Sequence, residues 1–210
     1  MTFTAFTHGF VLALGLIIAL GPQNVFIFQQ GVVQPRLRWV LPTVVTAGVS
    51  DTVLILLAVL GVSVVVLQFA WLQTVLFGVG FIFLCYIGWV LFTTSTLDVN
   101  PQAEELLGAR EQVGFTASVS LLNPHAILDT VGVIGTNALA YSGLDRWIFT
   151  AACLLVSWGW FGSLAVAGWT LAESTYADQC VRYLNTISAV IIWAVALFMG
   201  WQLTVTLPVL

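Results

Sequence analysis

About six apolar runs, each near the length that a bilayer core requires, leave this 210-residue chain little choice of environment. A helix needs about 20 apolar residues to cross the hydrocarbon, and such runs occupy roughly 4–32, 39–67, 70–94, 113–136, 147–171 and 184–206. Charged residues make up 7% of the chain against 60% hydrophobic, and lysine is absent. A soluble domain needs far more charge to cover its surface. Inside lipid every backbone polar group must be satisfied within the protein, so an all-α membrane protein is expected. Residues 1–20 lack a basic start and a small-residue cleavage site, so they read as a retained first helix rather than a signal peptide.

Two polar interruptions break this pattern. Gly21-Pro22-Gln23-Asn24 lies inside the first run and Asn123-Pro124-His125 inside the fourth. A single Gly-Pro reads as a simple kink. A matched pair of broken membrane helices, one in each half of a chain, is a sequence pointer to a transporter's binding site. Where the chain restarts as a helix, its free N–H groups attract anions such as a carboxylate. Gln23, Asn24 and Asn123 add amide donors and acceptors beside those restarts.

The two halves echo one another. Gly9-Phe10 leads towards Pro22 as Gly114-Phe115 leads towards Pro124. Val49-Ser50 before Asp51 matches Val156-Ser157 before Trp158, and Gly88-Trp89 matches Gly200-Trp201. The predicted architecture is therefore two three-helix repeats, 1–94 and 113–210, joined by a polar cytoplasmic linker at 95–112. Three spans per repeat would insert the second half inverted relative to the first, with helices one and four broken at Pro22 and Pro124. Arg36, Arg38, Arg110 and Arg182 fall in loops on one side and Arg146 on the other. The positive-inside rule then puts those three loops in the cytoplasm and both termini outside.

Charge is expensive in a span, about 2.5–3.5 kcal/mol at a helix centre on insertion scales. Asp51 in the second run and Asp129 in the fourth therefore stand out, and no arginine falls inside a run to pair with them. They read either as protonated or hydroxyl-bonded structural acids, or as groups facing a polar cavity that meets a cation or proton. His125 precedes Asp129 by one helical turn. It reads equally as a proton relay or as a buried ring bonded to a carbonyl. His8 reads as structural or interfacial. Trp39, Trp71, Trp147 and Trp169 sit near predicted span ends, as interfacial aromatics do. Trp158 and Trp160 lie mid-span, where helix packing is the stronger reading and stacking on a cation the weaker. Cys85, Cys153 and Cys180 are too scattered for a metal or dithiol motif. No metal site and no cofactor is expected. A net charge of −4 excludes a nucleic-acid footprint.

At these residues the sequence resembles the LysE family of amino-acid exporters, and within it the lysine/arginine branch. The matching stretches are Gly21-Pro22-Gln23-Asn24-Val25 on to Gln30-Gly31, Ser50-Asp51, Asn123-Pro124-His125-Ala126, Leu128-Asp129-Thr130, and Arg146-Trp147. The resemblance implies a multi-pass protein of the cell (inner) membrane that is not an enzyme. It would export basic amino acids, driven by membrane potential or a proton gradient without nucleotide hydrolysis. It also implies substrate contacts at Gln23, Asn24, Asp51, Asn123, His125 and Asp129. An exporter of neutral amino acids or another metabolite on the same fold is the alternative. A purely structural membrane subunit would leave both aspartates unexplained. A membrane redox protein would need cysteines beside the prolines, and there are none. The expected partners are a small amino acid and the bilayer. Gly78, Gly80 and Gly88 with Trp89 and Trp201 suit helix contacts within or between subunits, a homodimer included.

Overall fold

The computed structural model describes residues 2–18, 21–62, 106–122, 126–127 and 130–172, with isolated positions between 75 and 89 and between 190 and 201. All regular structure among these residues is helical. The first apolar run forms two helices, α1 (Thr2–Ile17) and α2 (Pro22–Val33). After a 3-10 turn at Leu37–Trp39 come α3 (Leu41–Leu57) and a π-helical segment, Ala58–Val62, kinked at Gly61 where φ is 97°. Then follow α4 (Ala109–Leu121), a second π-helical segment (Thr130–Gly135), a helical turn (Thr136–Ala138) and the 30-residue α5 (Gly143–Ala172).

Among the described residues, Leu41–Gly61 and Gly143–Ala172 are each long and apolar enough to cross a bilayer, and the bent pair of α1 and α2 makes a third such unit. The predicted spans at 70–94 and 184–206 fall largely outside the described residues, as do Asn123, Pro124, His125 and Asp129. The fourth run starts earlier than its hydropathy suggests. Gly108 is the N-cap of α4, and its N–H donates to Glu111 Oε2 at 2.9 Å, so the polar stretch 95–112 is already helical from Ala109. A carboxylate three residues into a helix satisfies an otherwise orphaned N–H.

The spine of the bundle is α5, against which α1, α2 and α3 all pack. Near the first part of α5, Ala5 and Ala13 of α1 join Ile55 and Val59 after the middle of α3, with Phe149, Cys153 and Val156. Near its second part, Ile27 of α2 joins Val40 and Ala47 with Phe161 and Ala165. These pairings make α3 antiparallel to α5, while α1 and α2 follow α5 in its own direction. The α2–α5 crossing is a backbone contact. A Cβ on Gly31 would lie 2.5 Å from the Ala165 carbonyl oxygen and 3.1 Å from Gly168 Cα. Only glycine admits that approach.

The outward faces are as apolar as the core. On α3, Val45, Val49, Val53 and Leu57 form an exposed stripe, while Thr43, Ala47, Ser50 and Leu54 are buried on the opposite side. In water such a stripe would be a large uncovered apolar patch; in lipid it is ordinary solvent contact. His8, at the far end, has its Nδ1 2.8 Å from the Tyr141 hydroxyl and its ring edge-on to Phe149, a structural role.

The glycine crossing gives a direct test. Gly31→Leu should lower the thermal unfolding midpoint of the detergent-solubilised protein by several degrees, in keeping with about 1–3 kcal/mol for overpacking. Gly15→Leu, where an added Cβ meets nothing within 4 Å, should leave the midpoint unchanged.

Candidate functional site

Between α1 and α2 the chain turns through 77°. Gly21 is extended (φ −90°, ψ 169°), and Pro22 opens α2, where its missing N–H costs no hydrogen bond. The break leaves the last carbonyls of α1 without helical partners. Asn24 supplies one: its Nδ2 donates to the Ile17 carbonyl at 2.8 Å. The N-cap residue of α2 is Gly21, which has no side chain with which to cap it. Pro22, Gln23 and Asn24 are all buried, so this helix end lies inside the bundle.

Facing the break is Asp51. Ser157 Oγ donates to Asp51 Oδ2 at 2.7 Å, and the Gln23 side chain approaches the same carboxyl. Buried Gln23 Nε2 nevertheless has no hydrogen-bond partner among the described residues. The Asp51–Ser157 bond sits where α3 and α5 cross, between the two apolar clusters that hold Val156 on one side and Phe161 on the other. Ser157 is halfway along α5, roughly 22 Å from either end at 1.5 Å per residue. The acid is therefore near the middle of the longest helix, the most costly depth for charge in a bilayer.

No arginine reaches it among the described residues. Arg36, Arg38 and Arg110 are exposed at helix ends, and Arg146 Nε donates to the Tyr141 carbonyl at 3.0 Å. Further buried polar atoms without partners among the described residues are Thr116 Oγ1 and Ser120 Oγ on α4 and Trp160 Nε1 on α5. Trp158 is engaged: its indole covers Gly48, and its Nε1 donates to Thr52 Oγ1 at 3.1 Å. Among the described residues no three His, Cys, Asp or Glu side chains gather as a metal site would require.

Of the residues expected at a site, the structure brings Gln23 and Asp51 together beside Gly21 and Pro22. Asn24 serves the break itself. Asn123, His125, Asp129 and Pro124 lie outside the described residues. Ser157, Thr116 and Ser120 were not anticipated. The echo of Val49-Ser50 by Val156-Ser157 was the available signal for the first, and the i, i+4, i+8 spacing of Gln112, Thr116 and Ser120 for the others.

The family described as LysE type translocator matches residues 14–202. The chain belongs to the LysE family. It is similar to the "Putative amino-acid transporter YisU" of Bacillus subtilis (strain 168), 48% identical over 95% of this chain and 90% of the relative. It is also similar to proteins named arginine exporter protein ArgO. That of Serratia proteamaculans (strain 568) is 33% identical over 94% of this chain and 96% of the relative. That of Pectobacterium carotovorum subsp. carotovorum (strain PC1) is 32% identical over 95% and 100%. No solved structure matches. As a LysE-type translocator the chain is a membrane protein, and its relatives are transporters rather than enzymes.

In this LysE-family protein the Asp51–Ser157 contact should behave as a coupled pair. Ser157→Ala alone should destabilise by about 1–3 kcal/mol through the lost bond and a carboxyl left short of a donor. In an Asp51→Asn background the same change should cost markedly less. Thermal midpoints of the four proteins measure the coupling, and strictly additive effects would show that the contact is not formed.

Proposed function

We propose that this LysE-family protein is a secondary transporter that exports basic L-amino acids, arginine and/or lysine, from the cytoplasm. The observation that carries the reading is Asp51: an ionisable group midway through the bundle that accepts from the Ser157 hydroxyl with the Gln23 amide nearby, and with no arginine beside it among the described residues. At an effective dielectric near 20, an ion pair at 4 Å is worth about 4 kcal/mol before desolvation. A transported guanidinium or ammonium group supplies that partner transiently. The buried N-terminus of α2, whose N-cap is a bare glycine, and Gln23 Nε2, which has no hydrogen-bond partner among the described residues, suit the substrate carboxylate. A zwitterion with a basic side chain uses both features at once. Relatives named arginine exporters, matching across nearly the whole chain, support the same choice.

The cycle requires two halves that move against each other, and six spans in two inverted repeats, 1–94 and 113–210, supply them. The antiparallel crossing of α3 and α5 supports this arrangement. The echoed positions Ser50 and Ser157 both fall at that crossing, where Asp51 meets Ser157. In this reading Pro22 and Pro124 break helices one and four, and Asn123, His125 and Asp129 complete the site from the second half. The arginine-rich loops face the cytoplasm, and the protein is a multi-pass component of the cell membrane. Substrate enters between the halves from the Arg36 and Arg38 side, and alternating exposure releases it outside.

In cells loaded with an arginine-containing dipeptide, Asp51→Asn and Asp129→Asn should each slow arginine excretion at least tenfold, which corresponds to about 1.4 kcal/mol. Wild-type rates in both variants would end the counter-ion reading. In reconstituted vesicles, arginine and lysine should out-compete threonine and leucine. The opposite order would put a neutral amino acid in their place.

A further inference from the structure

The helix α4 buries a row of polar side chains. Gln112, Thr116 and Ser120 follow one another at single-turn intervals, and with Val119 they make up its buried residues. Gln112 is fully engaged. Its Oε1 accepts from Thr43 Oγ1 on α3 at 2.8 Å, and its Nε2 donates to the Leu107 carbonyl at 2.9 Å. Gln34, just past α2, donates to the same carbonyl at 3.3 Å and to Gln30 Oε1 at 3.2 Å. Amide and hydroxyl groups thus knit α2, α3 and α4 together at the end of the bundle that carries Arg36, Arg38 and Arg110.

Beyond that knot the pairing stops. Thr116 Oγ1 and Ser120 Oγ are buried and have no partner among the described residues. Hydroxyls on helices ordinarily satisfy themselves on the preceding turn, and Ser118 on the same helix does so, donating to the Gly114 carbonyl at 2.8 Å. An unmade hydrogen bond to a buried group is unfavourable, and such groups mark places where water or a ligand supplies the missing partner. The two helices run in parallel, since both begin at the arginine end and the π-helical segments that follow them pack together. Asp51 lies eight residues beyond Thr43, and Ser120 eight beyond Gln112. Each is therefore about 12 Å further along, at one level.

We propose that the seam between α3 and α4 is the route by which substrate reaches Asp51 from the arginine-rich end, that Thr116 and Ser120 line it, and that the Thr43–Gln112 bond closes it. This rests on the transporter reading above, but not on which amino acid is carried. In the closed state seen here the lining hydroxyls wait unpaired. Parting of Thr43 from Gln112 admits a polar solute whose ammonium, carboxylate or hydration water pairs with them in turn.

The test uses full-length protein with Cys85 and Cys180 changed to serine and Cys153 to alanine, carrying T116C or S120C. Membrane vesicles of both orientations are treated with a membrane-impermeant cationic methanethiosulfonate. Both thiols should react from the face bearing Arg36 and Arg38, at least fivefold faster when Q112A is added. T43V, which breaks the same bond from the other helix, should accelerate them equally. Saturating arginine should slow the reaction at least twofold. If neither thiol reacts from that face in Q112A or T43V while dipeptide-loaded cells still excrete arginine, the seam is not the route and the exporter reading survives. If the thiols react and leucine protects them while arginine does not, the route stands and the substrate assignment falls.

Discussion

A peptide group that leaves a helix inside lipid must find another partner, and this requirement governs the centre of the molecule. The chain breaks between Ile17 and Pro22, and Asn24 returns across the gap to take the Ile17 carbonyl. A carbonyl of α1 is thereby satisfied by the protein, while the start of α2 has only a glycine at its N-cap. The asymmetry matters more than the bend. A helix N-terminus buried beside Gln23 and Asp51 sets partial positive charge next to a carboxyl group.

That arrangement holds only because the bundle around it is tight. Two apolar clusters on either side of the Asp51–Ser157 contact keep α3 registered against α5. The polar groups form a thin layer between dry zones. Low local dielectric strengthens whatever pairs with them and raises the cost of leaving them alone. The same physics explains why all four described arginines stay at helix ends. In the proposed transport cycle, a permanent cation beside Asp51 would occupy the place taken by the substrate's charge.

How much of this was legible in the sequence depended on how local each signal was. Gly21-Pro22 marks the start of α2 because proline and glycine constrain their own backbone. Asp51 was legible because charge within an apolar run is costly wherever the run packs. Its partner Ser157 was not, since serine in a helix is unremarkable until the antiparallel crossing of α3 and α5 sets it against an acid. The polar row on α4 went unread for a similar reason. Gln112, Thr116 and Ser120 acquire meaning only once the fold buries that face of α4 and sets Thr43 of α3 against Gln112. The early start of α4 was written in Gly108 and Glu111, but Arg110 and Glu111 made the stretch look like linker. The membership of Asn123, His125 and Asp129 in the site remains a sequence-based reading, because those residues fall outside the described part of the chain.

The contact of Gly31 with Gly168 has a mechanical consequence. Where two helices meet through bare backbone, no side chain can compress or change rotamer to absorb displacement. The crossing can swivel but cannot slide apart cheaply, which makes it a fulcrum for α2 against α5. Ser157 lies eleven residues before Gly168, about 16 Å along the same helix. A small rotation about the glycines thus becomes a displacement of ångström scale between α2 and the middle of α5, where Ser157 holds the acid.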